Sequence, residues 1–321
     1  MSRTIFTAFW NLENLFDVEN APRPVKIKNR IKSDIKGWNS TLLNYKLKNL
    51  SLVIRSMNDN KGPDILGVSE AENRNVLEKL TNQIKKDGGR LYSIAHADTS
   101  DNRGIDVAFL YDAELMQVDK KGIFQHWVVK RSATRELLQV NFDIAKKKLV
   151  FICNHWPARS AGQYESEPYR IVAGETLAYW VERIHEELGK NIGIVVTGDF
   201  NDDPFNRSLT EYALSTNYKN KVIKGRLKYL FNTMWKIFGR GEGSFYYKGG
   251  WNIFDQILIN RPLINGESKW KAETEATIEG KEIMGYNKYD CAPRKFGIKP
   301  EERDIKGFSD HFPVSIRIKE A

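Results

Sequence analysis

One apolar run that ends abruptly in acidic side chains constrains this chain more than any other feature. Residues 195–198, Val-Val-Thr-Gly, lead directly into Asp199, Asn201, Asp202 and Asp203. The apolar part predicts a β-strand inside a sheet, and loops at strand ends are where functional residues concentrate. Carboxylate and amide oxygens in close sequence bind hard divalent cations and position water. The alternative is a strand followed by an ordinary turn, because Asp and Asn also favour turns.

The composition and the charge limit the class of protein. The chain has 321 residues, of which 41% are hydrophobic and 28% charged, and this predicts a folded protein rather than a disordered one. The formal net charge is +9, with Lys and Arg clustered in 26–36 and 219–228. Such clusters favour a polyanionic partner, although solubility alone would also explain them.

Two cysteines are too few for a disulfide framework, and Cys153 is expected to be a reduced thiol in the core. No apolar stretch has the length that a membrane span needs, and the N-terminus lacks the layout of a signal peptide. We therefore expect a cytoplasmic protein. Secretion or a periplasmic location fits equally well if a signal peptide was removed.

The apolar periodicity predicts strands interleaved with helices. Strands are predicted at 5–10, 64–69, 91–96, 106–111, 122–129, 137–142, 149–154, 192–197, 253–259 and 313–318, and helices at 42–57, 75–86 and 167–188. A basic, proline-containing loop is expected up to about residue 38, and a basic insertion around 219–243. Adjacent strands mixed with isolated helices favour an α/β sandwich of two sheets, formed by one domain over 1–321.

Polar side chains recur where these strands begin or end. The residues concerned are Asn11, Glu70, Asn154, His155, Asp199, Asn201, Asp255, Asp310 and His311. Each alone has an ordinary explanation, since Asn11 would cap a turn and His155 would fit a core histidine. So many strand ends with the same chemistry indicate one shared site.

Together these motifs resemble the endonuclease/exonuclease/phosphatase superfamily, whose members include exonuclease III-type abasic-site endonucleases and pancreatic deoxyribonuclease. The resemblance covers the chain from Trp10-Asn11 to Ser309-Asp310-His311, and Gly198-Asp199-Phe200-Asn201 is its other specific mark. It implies a four-layer α/β/β/α sandwich with two mainly antiparallel or mixed sheets. It also implies cleavage of phosphoesters with Mg²⁺ or Mn²⁺.

The resemblance further implies a role for each strand-end residue. Glu70 matches the principal metal carboxylate, with Asn11 and Asp310 beside it. Asp199 and Asn201 match the pair that orients or deprotonates the attacking water, and Asp199 also matches a ligand of a second ion.

Two histidines complete the implied catalytic group. His311 matches the imidazole that lies against the scissile phosphate, and Asp255 matches the acid that orients it. His155 matches a second catalytic histidine. Before the strand at 106–111, Arg103 is placed to bind a phosphate, and Asp106 is predicted to orient His155; a loop cation and a strand cap are the alternatives.

The substrate is less well defined by the sequence. The residues predicted to contact the substrate are Arg103, Asn154, Trp156, Arg159, Tyr247, Lys248 and Trp251, since aromatic rings stack on bases or sugars and cations bind phosphates. We expect a metal-dependent phosphodiesterase resembling nucleases, with DNA or RNA as substrate. The alternatives are a phosphomonoesterase acting on small or lipid-linked phosphates and a non-catalytic member that binds nucleic acid or protein.

Overall fold

Two mixed β-sheets packed face to face form the centre of the structure. The computed structural model describes residues 2–129, 134–286 and 291–321. Helices cover the outer face of each sheet, so the layers follow the order α/β/β/α. The predicted fold class is thereby confirmed.

The strands in chain order are β1 (Thr4–Leu15), β2 (Ile65–Ala71), β3 (Ser93–His96), β4 (Asp106–Tyr111), β5 (Met116–His126), β6 (Leu137–Ile144), β7 (Lys147–His155), β8 (Gly193–Asp199), β9 (Ser215–Thr216), β10 (Leu230–Asn232), β11 (Phe245–Tyr247), β12 (Gly250–Asn252), β13 (Asp255–Ile259), β14 (Trp270–Ala272), β15 (Thr277–Ile278) and β16 (Val314–Glu320). The helices are α1 (Val25–Ile31), α2 (Ser40–Asn60), α3 (Arg74–Lys86), α4 (Gln163–Leu188), α5 (Lys219–Lys224), α6 (Trp235–Gly239), α7 (Arg261–Asn265) and α8 (Lys281–Met284).

The strand order brings the polar strand ends together. One sheet has the order β14-β16-β1-β2-β4-β3, with β15 also paired to β16, and the other has the order β5-β6-β7-β8-β13-β10-β9. β1 is parallel to β2, and β7 is parallel to β8, so the carboxyl ends of the two strands in each pair lie at the same end of their sheet. β16 is antiparallel to β1 and β13 is antiparallel to β8, so both begin at the ends of the sheets where those pairs terminate.

Aromatic rings fill the space between the sheets. Phe109 on β4, Phe142 on β6 and Phe151 on β7 meet edge to face, with ring centroids 5.5–6.0 Å apart. Cys153 is buried and free, as predicted, and its thiol faces the carbonyl oxygen of Val68 across the interface at 3.7 Å. This close-packed interface fixes one sheet against the other.

The helices bury apolar faces on the outer sides. α2 and α3 pack on the β1-containing sheet, and their leucine, isoleucine and valine residues join its core. α4 packs on the other sheet through Ala173, Leu177, Val181 and Ile184. Among the helices in the described ranges, none combines the length and the apolar character that a membrane span needs.

The predicted strands and helices are present with shifted ends, and short elements that were not predicted accompany them. The segment predicted as a loop up to residue 38 contains α1, which starts directly after Pro24. α4 begins at Gln163 rather than at the predicted residue 167, and it continues through Pro168. Within 219–243, residues 230–232 form β10, which pairs with β13 in the second sheet.

Gly198 allows β7 and β8 to approach closely beside the site. A Cβ added to Gly198 would lie 2.3 Å from the carbonyl oxygen of Asn154, and the φ angle of Gly198 is 158°. We expect Gly198→Ala to lower the free energy of unfolding by about 2–4 kcal/mol, because backbone atoms have to move. Urea denaturation measures this.

Gly239→Ala is the matched control, because an added Cβ meets nothing within 4 Å there. We expect that variant to stay within about 1 kcal/mol of the parent protein. Equal changes in the two variants would contradict a steric role for Gly198.

Candidate active site

The predicted site residues converge where the two sheets meet at one end of the sandwich. Asn11 Nδ2, on β1, donates to Asp199 Oδ2, at the end of β8, over 3.0 Å. His311 Nδ1, just before β16, lies 2.7 Å from Asp255 Oδ2, at the start of β13. Each of these bonds joins one sheet to the other, so the site is held by both.

Asp255 and His311 form a buried acid–imidazole pair. Asp255 is fully buried, and the indole Nε1 of Trp10 fixes the His311 backbone by donating to its carbonyl oxygen over 2.7 Å. Burial alone would lower the pKa of His311, but the charges of Asp255 and Asp310 raise it well above its usual value. His311 is therefore a fixed imidazolium, suited to stabilising negative charge on a phosphate.

Asp199 is held by two donors and faces other acids. Its Oδ1 accepts the backbone N–H of Asn201 over 2.9 Å, and its Oδ2 accepts Asn11 Nδ2. Burial raises the pKa of Asp199 to about 6; the charge of His311 opposes the rise and that of Asp255 adds to it. A carboxylate that titrates near neutrality is suited to accept a proton from water.

The backbone around the site adopts left-handed conformations that non-glycine residues rarely take. The residues are Glu13 (φ 52°), Asn14 (50°), Glu70 (62°) and Asn201 (50°). Such residues persist only where the surrounding structure holds them, and they cluster at functional sites. At Glu70 the conformation accompanies a hydrogen bond from the Asn14 N–H to Oε2 over 2.8 Å.

The His155 side chain lies between the carboxylates of Glu70 and Asp199. Its Nε2 is 3.6 Å from Glu70 Oε1 and 3.7 Å from Asp199 Oδ2. Burial lowers the pKa of His155 well below its usual value, and the charges of Arg135 and Arg103 lower it further. His155 is therefore neutral and differs from His311 in its chemistry.

The oxygen atoms at the site suit a divalent cation. Glu70, Asn11 and Asp310 present carboxylate and amide oxygens, and Asp310 is partly open to solvent with a side-chain exposure of 38%. Burial raises the pKa of Asp310, and the nearby charge of Glu70 adds to the rise while His311 opposes it. In the described ranges Asp255 Oδ1 is buried without a hydrogen-bond partner. Crowded acids of this kind fit Mg²⁺ or Mn²⁺, which are bound by oxygen.

The prediction that Asp106 orients His155 is wrong. Asp106 Oδ2 lies 2.9 Å from His96 Nε2, and its Oδ1 accepts the N–H and the hydroxyl of Thr99. His155 Nδ1 has no hydrogen-bond partner within the described part of the chain. Asp98 also approaches His96, to 4.0 Å, but its side chain is exposed, and exposed acids commonly gather without binding a metal ion.

Two arginines flank His155, and the sequence indicated only one of them. Arg103 remains partly exposed, and its nearest acid, Asp101, is 3.7 Å away. Arg135 is buried and donates to the carbonyl oxygens of His155 and Trp156 and to Asp101. Arg135 lies in no motif, since its partners are distant in sequence and only the fold brings them together.

Asn154 and Trp156 do not line the site, although substrate contacts were predicted for both. They are 0% and 1% exposed, and the Trp156 indole packs on Phe200 while its Nε1 donates to Asn154 Oδ1. Both side chains pack inside the protein against the segment that leads to Asn201, since Asn154 donates to the Thr197 carbonyl oxygen and Trp156 contacts Phe200. The sequence did not separate an aromatic residue in the core from one at the surface.

Arg159 lines a groove beside the site, but its guanidinium is already occupied. It bonds the side chains of Asp202, Asp203 and Asn206 and the carbonyl oxygen of Asn201. These bonds hold the loop that carries Asn201. The predicted phosphate contact of Arg159 would have to compete with them.

Tyr247 and Trp251, which were predicted to contact the substrate, lie on a short hairpin. β11 and β12 are joined by Lys248 and Gly249, both with positive φ, which is typical of a tight hairpin turn. Tyr247, Lys248 and Trp251 line a groove of about 890 Å³ that also contains His311 and Asn201. The groove therefore leads from the hairpin to the buried pair.

We expect Arg159→Ala to lower the free energy of unfolding by about 2–4 kcal/mol, because two buried acids lose a partner. Arg207→Ala is the control, since Arg207 pairs with Glu211 on the surface and exposed pairs contribute at most about 1 kcal/mol. Thermal or urea unfolding measures both. A stable Arg159→Ala variant with a raised KM would instead favour a direct substrate contact.

The comparisons with known proteins agree with this fold. The model of the endonuclease/exonuclease/phosphatase family matches residues 6–320. No curated protein matches the chain. Among solved structures, truncated TDP2 from Caenorhabditis elegans is 15% identical with a TM-score of 0.58, covering 99% of this chain and 98% of its own.

Two Bacteroides thetaiotaomicron structures are also similar. A protein of the same family is 12% identical with a TM-score of 0.57, covering 100% of this chain and 99% of its own. A mannosyl-6-phosphatase is 14% identical with a TM-score of 0.55, covering 98% of this chain and 99% of its own. Enzymes of this superfamily hydrolyse phosphoesters and generally use a divalent metal. With its family model matched over nearly all its length, this chain belongs to the endonuclease/exonuclease/phosphatase family.

Proposed function

We propose that this protein is a divalent-metal-dependent phosphoester hydrolase, most readily a phosphodiesterase resembling nucleases, formed by one domain over 1–321. The observation that carries the proposal is the buried Asp255–His311 pair, which lies close to Asp199 and near the carboxylates of Glu70 and Asp310. A phosphoester is anionic, so its hydrolysis needs charge neutralisation, a positioned water and an acid near the leaving oxygen.

Each residue has a part in that chemistry. Glu70, Asn11 and Asp310 would hold Mg²⁺ or Mn²⁺, with Asp199 close by, and the ion would supply positive charge at the phosphate. Asp199, fixed by Asn201, accepts the proton of the attacking water. His311, kept charged by Asp255, stabilises the phosphate oxygens. Arg103, at the edge of the site, binds a non-reacting phosphate oxygen.

The surroundings of the site favour a diester with extended groups. On one side lies the groove with Tyr247 and Trp251, which is large enough for a sugar or a base. On the other side α1 packs against the loop of Arg103. The Ile27 side chain lies so close to Gly104 that a Cβ added there would be 2.7 Å from it. The exposed Lys26 and Lys28 on α1 suit further phosphates of a DNA or RNA strand.

A phosphomonoesterase is the second candidate. The observation that favours it is the similarity in fold to the mannosyl-6-phosphatase of Bacteroides thetaiotaomicron. The same groove would then hold a sugar next to the phosphate.

We expect the protein to hydrolyse bis-p-nitrophenyl phosphate with Mg²⁺ or Mn²⁺ and to lose this activity in EDTA. Asp199→Asn should lower kcat by about 10²–10⁴-fold, because the water loses its proton acceptor. Asp143→Asn is the control, since Asp143 is an exposed acid on β6. Steady-state kinetics of the three proteins checks this, with circular dichroism to verify folding.

Full activity of Asp199→Asn would remove Asp199 from the mechanism. Cleavage of p-nitrophenyl phosphate without cleavage of the diester would favour the phosphomonoesterase. Salt-sensitive binding of DNA with no turnover in either metal would favour the non-catalytic alternative.

If the lysines of α1 contact the phosphates of a nucleic acid, replacing them should weaken nucleic-acid binding in a salt-dependent way. Lys26→Gln/Lys28→Gln should weaken binding of single-stranded DNA and reduce the slope of log K against log salt by about 1.4, the value for two lost contacts. Cleavage of bis-p-nitrophenyl phosphate should not change. Fluorescence anisotropy between 50 and 200 mM salt, roughly the range in which such contacts are lost, measures the slope.

Lys85→Gln/Lys86→Gln removes the same charge from the far end of α3. This helix follows β2, whose carboxyl end carries Glu70, so its own C-terminus points away from the site. An equal loss of binding in this control would mean that net charge acts rather than α1.

A further inference from the structure

A fully buried lysine lies behind the proposed metal ligands. Lys46 on α2 is 0% exposed, and its ammonium donates to the carbonyl oxygen of Glu13 over 2.5 Å. The Glu13 carboxylate lies 3.6 Å from the same nitrogen. Lysine is almost never fully buried without a partner, because removing its charge from water is costly.

Glu13 is itself held from the opposite side. Its Oε2 accepts the N–H of Phe296 over 2.8 Å, and its Oε1 accepts the N–H of Gly297 over 2.9 Å. The side chain is therefore fixed between α2 and the segment that leads to His311. Neither Lys46 nor Glu13 takes part in the chemistry proposed above.

Lys46 and Glu13 together fix an irregular stretch of β1. The pairing of β1 with β2 shifts register between Asn11 and Leu15, and Glu13 and Asn14 within this stretch are left-handed. We call Glu13 and Asn14 the β1 bulge. Because the conformation is unfavourable by itself, contacts outside the strand have to maintain it.

The β1 bulge directs its N–H groups at two proposed metal ligands. The Glu13 N–H donates to Asn11 Oδ1 over 2.9 Å, and the Asn14 N–H donates to Glu70 Oε2 over 2.8 Å. Donors of this kind fix the orientation of a ligand and the lone pairs that remain free for an ion. Lys46 also lies near enough to Glu70 and Asp310 to interact with their charges.

We propose that Lys46 and Glu13 are positioning residues that hold the β1 bulge so that Asn11 and Glu70 are preset for the metal ion. This inference rests on the proposed metal-dependent function. It predicts that the pair acts on metal affinity in the folded protein, and not merely on stability. Substitution of a residue that orients a metal ligand typically changes the affinity for the metal by about 10–100-fold.

The test measures Mn²⁺ binding to folded protein by electron paramagnetic resonance. Lys46→Met keeps the length of the side chain and removes its charge and its hydrogen bond. We expect the Kd for Mn²⁺ to rise by about 10–100-fold, while kcat for bis-p-nitrophenyl phosphate at saturating Mn²⁺ stays within about threefold of the parent protein. Lys48→Met, an exposed position on the same helix, is the control and should bind Mn²⁺ normally.

Lys46→Met leaves Glu13 buried without its partner, so a second variant guards against unfolding. Lys46→Met/Glu13→Gln removes both charges and still lacks the bond to the Glu13 carbonyl oxygen, so its Mn²⁺ affinity should also fall by about 10–100-fold. Unchanged Mn²⁺ affinity in either folded variant would overturn the inference and leave the pair a purely structural role. Absence of Mn²⁺ binding by the parent protein would instead overturn the proposed function, and this inference with it.

Discussion

The hydrogen bond between Asp255 and His311 is the interaction on which the site depends. It is 2.7 Å long and joins the start of β13 in one sheet to His311, three residues before β16 in the other. A buried acid that lost this partner would be strongly unfavourable, so the two sheets are fixed in register at this end. The bond between Asn11 and Asp199 makes a second link of the same kind. The geometry of the site is thus a direct product of the way the sheets pack.

The electrostatics follow from this crowding. Acids from both sheets share a small, largely buried volume, and His311, Lys46 and Arg135 are cations that interact with them. The pKa values of the two histidines diverge: the charges of Asp255 and Asp310 raise that of His311, whereas burial, with the charges of Arg135 and Arg103, lowers that of His155. His311 is therefore charged and His155 neutral within a single pocket. The first is suited to stabilising negative charge and the second to neutral hydrogen bonding.

Much of the architecture and most of the site were predictable from the sequence, because the informative residues stand at the ends of apolar strands. Their positions at strand ends identified five residues that the structure brings together: Asn11, Glu70, Asp199, Asp255 and His311. Asp106 has the same local signal but pairs with His96, and local signal cannot show which partner a carboxylate finds across a sheet. Arg135 and Lys46 carry no signal at all, since they resemble surface cations until the fold buries them. The roles of all these residues stay predictions.

The left-handed residues around the site bear on how such a chain changes over time. At Glu13, Asn14, Glu70 and Asn201 the backbone would be relaxed by glycine, which adopts positive φ freely. A copy of the gene that no longer served a chemical purpose would be free to drift towards glycine there and would gain stability by doing so. A non-glycine side chain at a position where the backbone disfavours it is therefore a sign of a functional site, and this sign does not depend on any sequence motif.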